Sequence, residues 1–217
     1  MDPHTHLVAK LRALIEAVRT SDLDQAQANG IDLNAIADSV QSHTAQLTPY
    51  AVHSAPMQIG LRHEVIRVDP ARIAAHADGE VLDIFPYSPI TGALNPVAPP
   101  IRMWRDGSTV RGAGRIPTSL NGPPSAVHGG FVAAVLDELL GMAGVVAGIG
   151  GFTGTLTVRY LKPTPIGIDL DLEAHVQSVD GRKVTVTGHI AARGEVCATA
   201  EAIFIRPVST DSSPQAN

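Results

Sequence analysis

The sequence predicts an α+β fold in which an antiparallel sheet covers one long apolar helix. Three observations carry that prediction. Residues 131–147 place apolar side chains on every face (Phe131, Val132, Val135, Leu136, Leu139, Leu140, Met142, Val145, Val146) around one acidic pair, Asp137-Glu138, the pattern of a buried helix. The chain beyond it alternates apolar and polar residues, the period of strands with one covered face. Asp106-Gly107 and Asp180-Gly181 are tight-turn dipeptides of the kind that close hairpins. The sheet needs a cover and the helix needs burial, so the two are expected to pack as layers.

In chain order, Leu7, Val8, Leu11, Leu14, Ile15 and Val18 recur at helical spacing and predict a helix over 7–19. A weaker helix is expected over 32–45, with a short turn over 21–29. Pro49 and Pro56 suggest a connection, and residues 62–73 read as a short strand or a surface arm. Pro86, Pro89, Pro96, Pro99 and Pro100 exclude a central strand, because proline cannot donate to a ladder. Segments 101–105 and 109–116 form the first hairpin. Asn121-Gly122-Pro123-Pro124 breaks the chain ahead of His128-Gly129-Gly130 and the apolar helix. Strands at 153–161, 168–176, 183–190 and 196–205 then read as a continuous meander. The expected division is a helical N-terminal extension (1–60), a connecting segment (61–84), a main domain (85–208) and a flexible polar tail (209–217).

Hydrophobic residues make up 44% of the chain and charged residues 17%, as in a soluble globular protein. A net charge of −5 gives no support for nucleic-acid binding. The lone Cys197 rules out an internal disulfide and fits a reducing, cytoplasmic setting. His4, His6, Lys10, Arg12, Glu16 and Arg19 give the first turns a mixed character unlike a signal peptide. The apolar helix is marginal in length for a membrane and holds two acids, so no membrane span is expected. There is no Gly-x-Ser-x-Gly elbow, Walker loop or His-Glu-x-x-His. No cofactor and no metal site are expected; Gly148–Gly154 leads into a strand, not into the helix of a dinucleotide fingerprint.

The chemistry concentrates on the apolar helix. A carboxylate among apolar residues is costly unless it is paired, hydrated or used, and desolvation would make Asp137 a stronger base. The bland alternative is an acid that caps a neighbouring backbone or bridges a subunit interface. Glu138 sits about 100° further round the helix, so the two acids cannot serve one site equally. Gly129 and Gly130 can present bare N–H groups at the helix N-terminus, where negative charge is favoured; paired glycines are also common where backbones approach closely.

The run from His128 to Asp137, followed by Thr153-Gly154-Thr155-Leu156-Thr157-Val158-Arg159-Tyr160-Leu161-Lys162-Pro163-Thr164-Pro165, resembles the hot-dog-fold acyl-CoA thioesterases, in the branch of phenylacetyl-CoA-type enzymes. The resemblance covers residues 85–206. It implies an antiparallel sheet wrapped around a central helix, hydrolysis of acyl-CoA, and a homodimer or homotetramer with active sites at subunit interfaces. It selects Asp137 as general base or nucleophile and leaves Glu138 a secondary participant. It favours the Gly130 N–H as oxyanion donor beside Gly129, makes His128 a geometry-setting residue, and gives Thr153 a hydroxyl at the reaction centre, expected from the second subunit. Asn95 and Asn121 are candidates for holding a water. Arg159, Lys162, Arg182 and Lys183 are candidates for the coenzyme A phosphates.

Two rivals come from other classes. A non-catalytic acyl-CoA sensor would use the N-terminal helices on DNA, but residues 1–50 hold three basic side chains against six acids, a poor footprint for DNA. A hot-dog acyl-CoA hydratase would want a differently presented His–carboxylate pair.

Overall fold

The computed structural model describes residues 2–51, 76–82 and 84–206; the expected arm at 62–73 and tail at 209–217 lie outside the described residues. The chain divides into two compact units, Met1–Ile66 with Phe85–Ala98, and Arg67–Ile84 with Pro99–Asn217.

Among the described residues the first unit holds three α-helices, α1 (Pro3–Thr20), α2 (Leu23–Ala28) and α3 (Leu33–Leu47). An aspartate opens each: Asp2, Asp22 and Asp32 accept from first-turn N–H groups, a cap typically worth about 1 kcal/mol. Of the apolar stripe on α1, Val8 is buried, whereas Leu7, Leu11, Leu14, Ile15 and Val18 are exposed. Segment 85–98, expected to open the second domain, groups instead with these helices. Its prolines deny it a place in a ladder, and its carbonyls find another donor. Arg12 Nη2 donates to Gly92 O at 2.8 Å and Asn95 O at 2.9 Å. Partial burial pushes the Arg12 guanidinium below its ordinary pKa.

The described residues of the second unit form a six-stranded sheet, β1 (Ile101–Asp106), β2 (Thr109–Gly114), β3 (Phe152–Tyr160), β4 (Leu170–Asp180), β5 (Lys183–Ala192) and β6 (Glu195–Ile205), packed on one α-helix, α4 (Gly129–Val146). Every pairing is antiparallel, and the order is β1-β2-β4-β5-β6-β3. This is the hot-dog arrangement. Both Asp-Gly hairpins form as expected, with Gly181 at φ 55°. The continuous meander does not: β3 pairs with β6 at the far edge, and β2 takes the place beside β4. Alternation fixes which face of a strand is covered, not which strand lies beside it.

Alternation does fix the core. Leu170, Leu172, Ala174, Val184, Val186, Ile190, Ala198 and Ala202 are buried against Val135, Leu136, Leu139 and Leu140 of α4. Gly188 on β5 makes that packing possible. A Cβ there would lie 2.7 Å from Glu173 O and 3.0 Å from Leu140 Cδ1. The expectation of a helix buried all round needs correction. Val132, Val135, Leu136, Leu139, Leu140, Met142, Ala143 and Gly144 are buried, but Phe131, Ala133, Ala134, Asp137, Glu138 and Gly141 are only half-buried. In one chain the sheet covers one side of α4. The helix is long and apolar enough to cross a membrane by length and composition, a test that the core helix of a soluble hot-dog fold also passes.

Candidate active site

The half-buried side of α4 carries the candidate residues. β3 begins just after α4 and runs back along it. Its first threonine therefore meets the middle of the helix: Thr153 Oγ1 donates to Asp137 Oδ1 at 3.0 Å. Within one chain, the hydroxyl beside Asp137 is therefore the chain's own Thr153. The costly carboxylate is thus hydrogen-bonded, and only partly withdrawn from solvent.

At the other end of β3, Tyr160 Oη donates to Gly129 O at 2.8 Å. His128 is the N-cap of α4, and its Nδ1 accepts from the Gly130 N–H at 3.1 Å. The Phe131 and Val132 N–H groups both donate to His128 O. Among the described residues the Gly129 N–H alone in this first turn has no acceptor. The resemblance favoured Gly130 as donor; its N–H is engaged by His128, and the open donor is one residue earlier. Behind the turn, a Cβ on Gly122 would lie 2.7 Å from His128 Cα, so only glycine lets the preceding loop seat His128 there. Asn121 bridges to Val127 in that loop, one residue ahead of His128.

Several other candidates have partners of their own. Asn95 lies in the first unit, where its Nδ2 donates to Tyr87 O and its Oδ1 accepts from the Val97 N–H. Lys162 pairs with Glu195 at 2.7 Å, and that hydrogen bond holds the Glu195 carboxyl below its ordinary range. Arg182 Nε donates to Arg206 O. Arg159 lines an open groove of about 490 Å³ on the outer face of the sheet, with Glu173, His175, His189 and Glu201. Glu138 is half-buried on α4 beside Asp137. Among the described residues no three His, Cys, Asp or Glu side chains converge to hold a metal ion. Tyr160 and Arg12 carried no functional signal in the sequence, because each acts on backbone carbonyls far away along the chain.

Comparisons with known proteins identify the family. The profile of the thioesterase superfamily matches residues 125–199, the span from the turn before α4 into β6. A solved structure described as a thioesterase superfamily protein is 30% identical, with a TM-score of 0.76 over 94% of this chain and 95% of that one. The chain belongs to the thioesterase superfamily. That structural match extends through most of both units, so the helical N-terminal region has a counterpart within the superfamily. Acyl-coenzyme A thioesterase THEM4 of Xenopus laevis is 34% identical over 89 residues, 40% of this chain and 40% of that protein. Acyl-coenzyme A thioesterase THEM5 of Homo sapiens is 28% identical over 98 residues, 44% of this chain and 40% of that protein. The matches therefore span about two-fifths of the length of these curated relatives.

Proposed function

We propose that the chain hydrolyses acyl-CoA thioesters to the free acid and coenzyme A. The observation that carries this reading is that the helix opening with an unpaired N–H also carries a carboxylate, Asp137, held by the Thr153 hydroxyl of β3. The names of the relatives supply the substrate class.

In this reading the thioester carbonyl accepts a hydrogen bond from the Gly129 N–H. Asp137 takes a proton from water as it attacks the carbonyl carbon, or attacks directly to form a mixed anhydride that water then opens. The tetrahedral oxyanion is stabilised at the helix N-terminus, and collapse expels the coenzyme A thiolate. Thr153 orients the Asp137 carboxylate.

The two parts of the site come from different copies of the chain. Gly129 and Asp137 are eight residues apart on one helix, a rise of about 12 Å. A reacting carbonyl needs donor and nucleophile each about 3 Å away, so the helix of one copy falls short. A second copy across a two-fold axis brings its own α4 alongside. β3 is one of the two edge strands of the described sheet, and its exposed Phe152 provides apolar surface for that contact.

Release of free thiol from a panel of acyl-CoAs tests the reading. Wild type should turn over at least one of them, and Asp137→Asn should be slower by about 10²–10⁴-fold, the usual worth of a positioned base. Binding without turnover by the wild type would favour the sensor. Unchanged turnover by Asp137→Asn would remove Asp137 from the mechanism.

A further inference from the structure

We propose that Tyr160 is a positioning residue for the oxyanion donor; the inference rests on the hydrolase reading above. One amide, the Gly129–Gly130 peptide, is held at both ends. Its oxygen accepts from Tyr160 Oη at 2.8 Å, and its N–H donates to His128 Nδ1 at 3.1 Å.

Two consecutive glycines form the most conformationally free pair in any chain, and here they form the turn that must present a donor in one direction. Stabilisation of a developing oxyanion depends on that direction being set beforehand. Holding the plane after Gly129 at both ends fixes the torsion that links it to the Gly129 N–H. The tyrosine ring itself lies beside Gly129, where an added Cβ would meet Cε1 at 3.6 Å in ordinary van der Waals contact. Thr153 and Tyr160 are near the two ends of β3, so one strand supports the acid through its first hydroxyl and the donor through its last.

The test is Tyr160→Phe, which keeps the ring and removes only the hydroxyl. The expected result is a kcat lowered about 3- to 10-fold, the worth of one neutral hydrogen bond, with KM within about twofold, since the effect falls on the transition state. In protein labelled with ¹⁵N-glycine, the Gly130 amide resonance should move, because its own peptide oxygen loses a donor, while Tm stays at the wild-type value. An unchanged kcat, a rise in KM alone, or an unmoved Gly130 resonance would each overturn the proposal. If wild type releases no thiol from any acyl-CoA, the hydrolase reading fails first. The Gly130 resonance then decides by itself whether Tyr160 holds this amide.

Discussion

Gly129→Pro removes one hydrogen-bond donor and little else. Gly129 is the first helical residue of α4, a position where proline is tolerated because its missing N–H has no partner within the helix. His128 ahead of it has φ −59° and ψ 129°, the extended conformation that a residue before proline prefers. The variant should therefore fold as wild type and lose about 10²–10³-fold in kcat, the cost of deleting one oxyanion donor. Asp137→Asn should lose about 10²–10⁴-fold for a different reason, the missing base. Mixing the two variants decides where the site lies. If each site takes Asp137 from one copy and Gly129 from another, a mixed dimer has one intact site and one carrying both lesions. Random pairing makes half the dimers mixed, so the mixture should regain about a quarter of wild-type turnover. The assay is thiol release from equimolar variants unfolded and refolded together, with native mass spectrometry to count the mixed dimers. A mixture no faster than the sum of its parents, with mixed dimers present, would refute the argument from helix rise.

Three further outcomes are expected. Thr153→Val should lower kcat about tenfold, the low end for a hydrogen bond to a charged group, and should have no further effect in an Asp137→Asn background because both act through one carboxylate; multiplying effects in a double-mutant cycle would separate them. Gly188→Ala should lower stability by about 1–3 kcal/mol through overpacking, read as a fall in Tm, because its Cβ would meet Glu173 O and Leu140 Cδ1. Arg115 holds the Asp169 carboxyl below its ordinary 3.8, and Lys162 holds Glu195 below 4.5. Folded values below unfolded ones give a contribution that is complete above those ordinary values and is lost as pH falls through the lowered ones. Both pairs are exposed, so Asp169→Asn with Glu195→Gln should flatten only the acid limb of a stability-against-pH curve, measured by circular dichroism.

Local chemistry was legible in the sequence wherever it was self-contained. The Asp-Gly turns, the alternation along β4 and β5 and the apolar helix each specify their own geometry, and each formed. Asp22 and Asp32 sat one residue before helices that the periodicity had only half defined. What escaped were relations between distant backbones. Nothing in the spacing of β3 says that it crosses to β6. Nothing around Arg12 says that its acceptors are carbonyls 80 and 83 residues away. The engagement of the Gly130 N–H depends on the rotamer of His128, which no sequence pattern encodes.

The half-burial of α4 follows from the same arrangement. Leu136, Leu139 and Leu140 are fully buried on the side of α4 that packs on the sheet. The apolar residues on its other side, Phe131, Ala133, Ala134 and Val145, remain half-buried. A helix exposed to water on that side would ordinarily carry polar residues there. On the proposed reading, this side faces an acyl chain and the α4 of a second copy, which excludes charge from most of it. Asp137 and Glu138 are the acids it keeps, and Asp137 is the one secured by a hydroxyl from the adjoining strand. Replacing Ala134 by Glu tests that reasoning. The sheet-facing core is untouched, so the monomer should fold, while a carboxylate buried between copies should shift the sedimentation coefficient toward a single chain and abolish turnover. A variant that sediments and turns over as wild type would show that this side of α4 stays open to solvent.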